Sequence, residues 1–110
     1  MTVVKTQPKS AYPSMADVTP EMIKEWKEKY GAVFKYEAED GKAAIFRQPD
    51  RKIVGLSSSA PDNVAGNETI AKNCFLAGDE CIINDDSYFY GLSPHLQKFL
   101  KAKAGKSEEL

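Results

Sequence analysis

The chain has 110 residues, 42% of them hydrophobic and 28% charged, with 15 basic against 16 acidic side chains and a formal charge of -1. That length fits one domain, in which folding buries roughly two-thirds of the unfolded surface, and the balance of apolar and charged residues excludes an intrinsically disordered chain. No global positive field draws the protein onto DNA, RNA or an anionic membrane, and no window approaches the roughly 18 consecutive apolar residues of a membrane span.

Met1 to Val4 is too short for the apolar core of a secretion signal, so a cytoplasmic protein is expected. Pro8, Ser10, Pro13 and Ser14 follow without any sustained period, which marks residues 1–18 as a flexible arm. Thr19 then offers an N-cap hydroxyl, Pro20 sits where its missing donor costs nothing, and Glu21 favours the positive helix end. Met22, Ile23, Trp26 and Tyr30 recur at helical spacing opposite Lys24, Glu25, Lys27 and Glu28. Gly31 is placed to end this first helix.

From Val33 to Glu39 apolar and polar residues alternate, Asp40-Gly41 matches a two-residue type I′ turn, and Lys42 to Arg47 returns. A two-residue loop sets Glu39 opposite Lys42 and Tyr36 opposite Ile45, so Phe34, Tyr36, Ala43 and Ile45 share a face that the first helix can cover with Trp26. Two strands alone are marginally stable, which requires packing by helices or a third strand from a neighbour.

Pro49 stops the second strand and can begin a helix with Asp50 in its first turn and Ile53, Val54 and Leu56 as its apolar residues. Gly55 and Ser57 to Ser59 weaken it. Pro61, Asp62 and Asn63 open another helix, carrying Val64, Ile70, Ala71, Cys74 and Phe75 as far as Gly78 and diluted by Gly66. Asp79 to Ile83 reads as a connector, Asp85 or Asp86 as the cap of a helix bearing Tyr88, Phe89 and Leu92, and Ser93-Pro94 as a kink or restart. Leu96, Phe99 and Leu100 form a further helical stripe, and residues 104–110 a polar tail. The expected fold class is α+β: one β-hairpin packed by three or four helices, in a single domain spanning residues 19–103.

Residues able to do chemistry are sparse. Cys74 and Cys81 are six residues apart with no further cysteine, so they complete neither a redox dipeptide nor a zinc site, and both read as reduced thiols. His95 is the sole histidine, and no local carboxylate or nucleophile is nominated to work with it. Asp79, Glu80, Asp85 and Asp86 lack the glycine and terminal glutamate of an EF-hand loop and read as helix caps. Arg47, Arg51 and Lys52 surround Pro49 and could grip a phosphate at a helix N-terminus, but a salt bridge from Arg47 or Arg51 to Asp50 or a nearby glutamate is the expected use. Lysines gather at 24, 27 and 29 and again at 98, 101, 103 and 106, near predicted helix ends. No catalytic residue, metal ligand or cofactor is assigned, and nucleic acid is not an expected partner. Tyr88, Phe89 and Tyr90 are consecutive and cannot all lie on one helical stripe, so at least one faces outward. The partner-binding set expected from these aromatics and the closing helix is Tyr88, Phe89, Leu92, Leu96 and Phe99.

Trp26-Lys27-x-Lys29-Tyr30-Gly31, the hairpin, Arg47-x-Pro49-x-Arg51, Asn73-Cys74-x-Leu76-x-Gly78-Asp79 and a closing helix together resemble small proteins of bacteriophage tail modules, the tail assembly chaperones in particular. The resemblance spans approximately Glu25 to Leu100. It implies a noncatalytic protein, active in the host cytoplasm, that binds the tape measure protein and helps tail subunits polymerise around it. The proline-containing arm and the glycines at 55 and 66 depart from that pattern and keep a small structural virion protein as the alternative. A nucleic-acid-associated adaptor using Arg47, Arg51 and the C-terminal lysines, and an enzyme with a site formed only across a homo-oligomer, are the competing functional classes.

Overall fold

The computed structural model describes residues 12–100 and 104–110. A 3-10 turn, Met15–Asp17, precedes α1 (Pro20–Tyr30), and β1 (Val33–Glu37) and β2 (Ala43–Arg47) follow. The chain continues through α2 (Arg51–Ser58), α3 (Asn63–Cys74), β3 (Phe75–Gly78), α4 (Cys81–Asn84), α5 (Asp86–Leu96) and a 3-10 turn, Gln97–Phe99. The strands form one antiparallel sheet in the order β1-β2-β3, so the domain is α+β with the hairpin completed by a third strand of its own.

Helix starts follow side-chain chemistry that the sequence displays. The Thr19 hydroxyl accepts from the Met22 N–H at 3.2 Å, and Asp50, Asp62 and Asp85 accept from Ile53, Ala65 and Ser87 N–H groups at 2.9, 2.8 and 3.0 Å. Each satisfies a donor left orphaned by the first helical turn. Helix α1 ends at Gly31, whose φ of 96° suits glycine, and the Gly31 N–H closes the helix on the Lys27 carbonyl.

The hairpin forms, but its register differs by one residue from the two-residue-loop expectation. Tyr36 pairs with Ala44 and Glu37 with Ala43, and the Ala38 N–H donates to the Lys42 carbonyl at 2.7 Å. Three residues, Glu39, Asp40 and Gly41, therefore make the loop. A type I′ turn needs positive φ at both central positions, whereas here only Gly41 has it, at 95°. Instead the Asp40 carboxylate accepts from the Lys42 N–H at 3.1 Å, fixing the longer loop. A one-residue slip exchanges the faces of a strand. Phe34 and Tyr36 consequently share their face with Ala44 and Phe46, and Ala43 and Ile45 lie on the opposite one.

The main core lies on the Phe46 face, where Ala44, Phe46 and Phe75 meet Ile53, Ile70, Ala71, Cys74, Ile82, Phe89, Leu92, Leu96 and Phe99. The Phe99 ring stacks between Phe34 and Phe46, with centroids 4.8 and 5.4 Å away. On the other face Ala43, Ile45 and Ala77 are also buried, and α1 runs over β1 and β2. No residue of α1 is fully buried, so its stripe of Met22, Ile23, Trp26 and Tyr30 stays half exposed.

Two further expectations are corrected. Phe75 to Gly78 is strand β3 and not the end of α3, because the sheet supplies backbone partners that outweigh the helical spacing of Phe75. The expected connector Asp79 to Ile83 contains the start of the short helix α4, Cys81–Asn84, whose turn is closed by the Asp85 N–H on the Cys81 carbonyl. Within the expected arm, the Tyr12 ring meets Phe75 edge-on at 4.9 Å, and the Pro13 carbonyl accepts from the Gly78 N–H at 2.9 Å. The rest of the expected arm, residues 1–11, and Lys101 and Lys103 of the basic cluster lie outside the described residues. Residues 104–110 are exposed without regular structure.

Candidate functional site

Of the five side chains expected to meet a partner, the fold places Phe89, Leu92, Leu96 and Phe99 in the core, with 8%, 0%, 0% and 5% of their surface exposed. The spacing of 89, 92, 96 and 99 is that of a helix face, and it packs into the core with Phe46 of β2 and Ile70, Ala71 and Cys74 of α3. Tyr88 is half-buried, and Tyr90, 65% exposed, is the aromatic that faces outward. A partner therefore reaches Tyr88 and Tyr90 but not the other four while the domain is folded.

Tyr88 lies in the first of two surface features that bring elements together. Its phenol donates to the Asp40 carboxylate and ties the hairpin loop to the start of α5. This bond, followed by the one from the Lys42 N–H, holds the Asp40 carboxyl below its ordinary pKa, and the same Asp40 bond raises the Tyr88 phenol to about 12. Around the pair is a cleft of about 440 Å³ lined by Tyr36, Glu39, Asp85, Ser87 and Gly91 as well. Asp85 is engaged as the α5 cap, and Tyr36 packs against the His95 ring at 5.1 Å.

The second feature is a groove of about 360 Å³ on the α1 side of the sheet. Met15 and Val18 come from the segment before the helix, Ile23 from α1, Val33 from β1 and Ile45 from β2, with Lys27 and Lys35 beside them. Sequence reading missed this groove by assigning Met15 and Val18 to a free arm. The available signal was a hydrophobic staple: Val18 directly precedes the Thr19 cap and Ile23 is the fourth helical residue, a pairing that fixes how the chain enters a helix.

Arg47, Asp50 and Asp79 have structural partners. Arg47 bridges to Asp50 at 3.1 Å and stands 4.1 Å over the Tyr30 ring, as the salt-bridge reading expected. The Ile53 N–H, then Arg47, lowers the Asp50 pKa. An Asp79 carboxylate oxygen accepts from the Ala43 N–H at 3.0 Å while the Asp79 N–H donates to the Ala43 carbonyl at 2.8 Å. Burial raises the Cys74 thiol to about 12 and keeps it in the unreactive protonated form, and both cysteines are free. Among the described residues no cluster of three His, Cys, Asp or Glu side chains is arranged to hold a metal ion, and no helix is long and apolar enough to cross a membrane.

Comparison of the chain with protein-family models, with curated proteins and with solved structures finds no match.

Proposed function

We propose that this chain is a noncatalytic protein-interaction module that acts in assembly, in the manner of the phage tail assembly chaperones it resembles, with the tape measure protein as its partner. The observation that carries the proposal is the open apolar groove formed by Met15, Val18, Ile23, Val33 and Ile45. A groove of this kind accepts apolar side chains from an extended or helical segment, and Lys27 at its border selects for an acidic flank. The engagement of Asp50, Asp62, Asp79 and Asp85 in caps and ladder bonds supports the same reading, since these carboxylates act in folding.

This reading relocates the contact surface. Tyr90 and the groove are available to a partner, whereas Phe89, Leu92, Leu96 and Phe99 support the fold from inside. Coexpression with a tape measure protein encoded in the same gene cluster tests it. The soluble yield of that protein is expected to rise with the wild-type chain and to return to baseline with Val18→Asp, provided the variant keeps its thermal midpoint. Stoichiometric retention in finished particles would favour a structural virion role, and no association in either setting would remove the proposal.

A further inference from the structure

The two edges of the sheet are treated differently. On β3 the Gly78 N–H is taken by the Pro13 carbonyl, so the segment before α1 occupies that edge. On β1 the bonds to β2 come from alternate residues: the Ala38 N–H donates to the Lys42 carbonyl, and the Ala32 carbonyl accepts from the Gln48 N–H. With Phe34 opposite Phe46 and Tyr36 opposite Ala44 between them, the even-numbered residues face β2. The main-chain N–H and C=O groups of Val33, Lys35 and Glu37 therefore point outward along an edge that, among the described residues, no strand pairs. Monomeric proteins guard such an edge, often with a lysine. Lys35 and Glu37 are the charged side chains on this edge, and the two form an ion pair at 3.7 Å with 57% and 58% of their surfaces exposed.

We propose that β1 pairs antiparallel with β1 of a second copy of this chain, in the register that sets Lys35 opposite Glu37 across a two-fold axis through Tyr36. Outward-facing groups must meet outward-facing groups, so odd residues pair with odd residues. Centring the axis on Lys35 instead opposes two lysines. Moving the centre to Tyr36 places Lys35 of each copy against Glu37 of the other, twice by symmetry. Directly opposed unlike charges stabilise an antiparallel pair and like charges destabilise it, so the side chains select this register. The second copy is the occupant that satisfies the charge pattern on its own, because the segment is complementary to its own reverse. The product is one six-stranded sheet, β3-β2-β1-β1-β2-β3, joined through residues 35–37 of the two β1 strands. This goes beyond the proposed function, which concerns a different protein in the groove.

Sedimentation equilibrium of the full chain over a concentration series tests the pairing independently of any tape measure protein. A reversible monomer–dimer equilibrium is expected, weakened by salt. Lys35→Glu alone and Glu37→Lys alone should each weaken it by roughly tenfold, and the double exchange should restore it. Lys35→Pro removes an outward donor while leaving the β1–β2 bonds in place, so it should abolish the dimer with the hairpin intact. Circular dichroism of each variant establishes that the domain is folded. A wild-type chain that stays monomeric throughout, or a dimer indifferent to both single exchanges and to Lys35→Pro, overturns the proposal. A β1 edge that pairs only with an extended segment of another protein also overturns it.

Discussion

Gly41 and Gly78 have similar backbone angles, φ of 95° and 114°, in opposite surroundings. A Cβ on Gly41 would meet nothing within 4 Å, whereas on Gly78 it would lie 2.4 Å from the Ala43 carbonyl oxygen and 2.6 Å from the Ala44 Cα. Alanine at 41 should therefore cost only the left-handed strain, about 1 kcal/mol. Alanine at 78 adds a clash with the backbone of the central strand and should cost roughly 2–5 kcal/mol. Thermal or urea unfolding of the two variants measures the difference, and equal effects would refute the close approach of β3 to β2. The sequence displayed Gly41 as a turn residue. It showed Gly78 only as a stop signal, because the contact that demands glycine there comes from residues more than 30 positions earlier.

The Tyr88–Asp40 bond gives a second residue-scale expectation. Asp40 has a folded pKa below its ordinary value, so the stability it contributes is present above the ordinary carboxylate range and is lost as pH falls through the lowered value. Tyr88 has the opposite sign: its contribution is present below the ordinary phenol value and is lost as pH rises toward about 12. Tyr88→Phe removes the bond, and an NMR titration of the Asp40 carboxyl should then show its pKa moving up toward the ordinary value. An unchanged Asp40 titration would mean that the Lys42 N–H alone sets it.

At the scale of elements, Gly66 shows why helix propensity misreads α3. Glycine weakens a helix by about 1 kcal/mol relative to alanine. In the fold, however, a Cβ at 66 would lie 3.0 Å from the Ser57 carbonyl oxygen and 3.1 Å from its Oγ, and that hydroxyl donates to the Gly66 carbonyl at 3.0 Å. The glycine sets the spacing of α2 and α3. Gly66→Ala should consequently destabilise the domain despite its better propensity, and a raised thermal midpoint would show that Ser57 moves aside freely. Helix starts were legible because Thr19, Asp50, Asp62 and Asp85 act within three residues of their own positions. Strand β3 was not legible, since its four residues form a strand only where β2 offers an edge. The hairpin lay between these cases: its place was local, but its register depended on whether Asp40 took positive φ.

For the whole molecule, burial decided which aromatics could serve function. The stripe of Phe89, Leu92, Leu96 and Phe99 suited a core face and a docking face equally well in sequence, and closing the fold over β2 made it core. What remains outside is the groove assembled from the segment before α1, from α1 itself and from the first two strands, together with the open β1 edge. No single stretch of sequence contains that surface, which is why local motifs did not reveal it. Residues that are 52% and 60% exposed, Leu56 and Val64, belong to α2 and α3 and line no part of it.

Photocrosslinking during coexpression tests the central claim most directly, with a photoreactive amino acid placed at Val18 in one chain and at Leu56 in another. An adduct between the Val18 chain and the tape measure protein, with none from Leu56, is the predicted result. The absence of any Val18 adduct, or an adduct formed only from Leu56, would contradict the assignment of the groove as the partner-binding site.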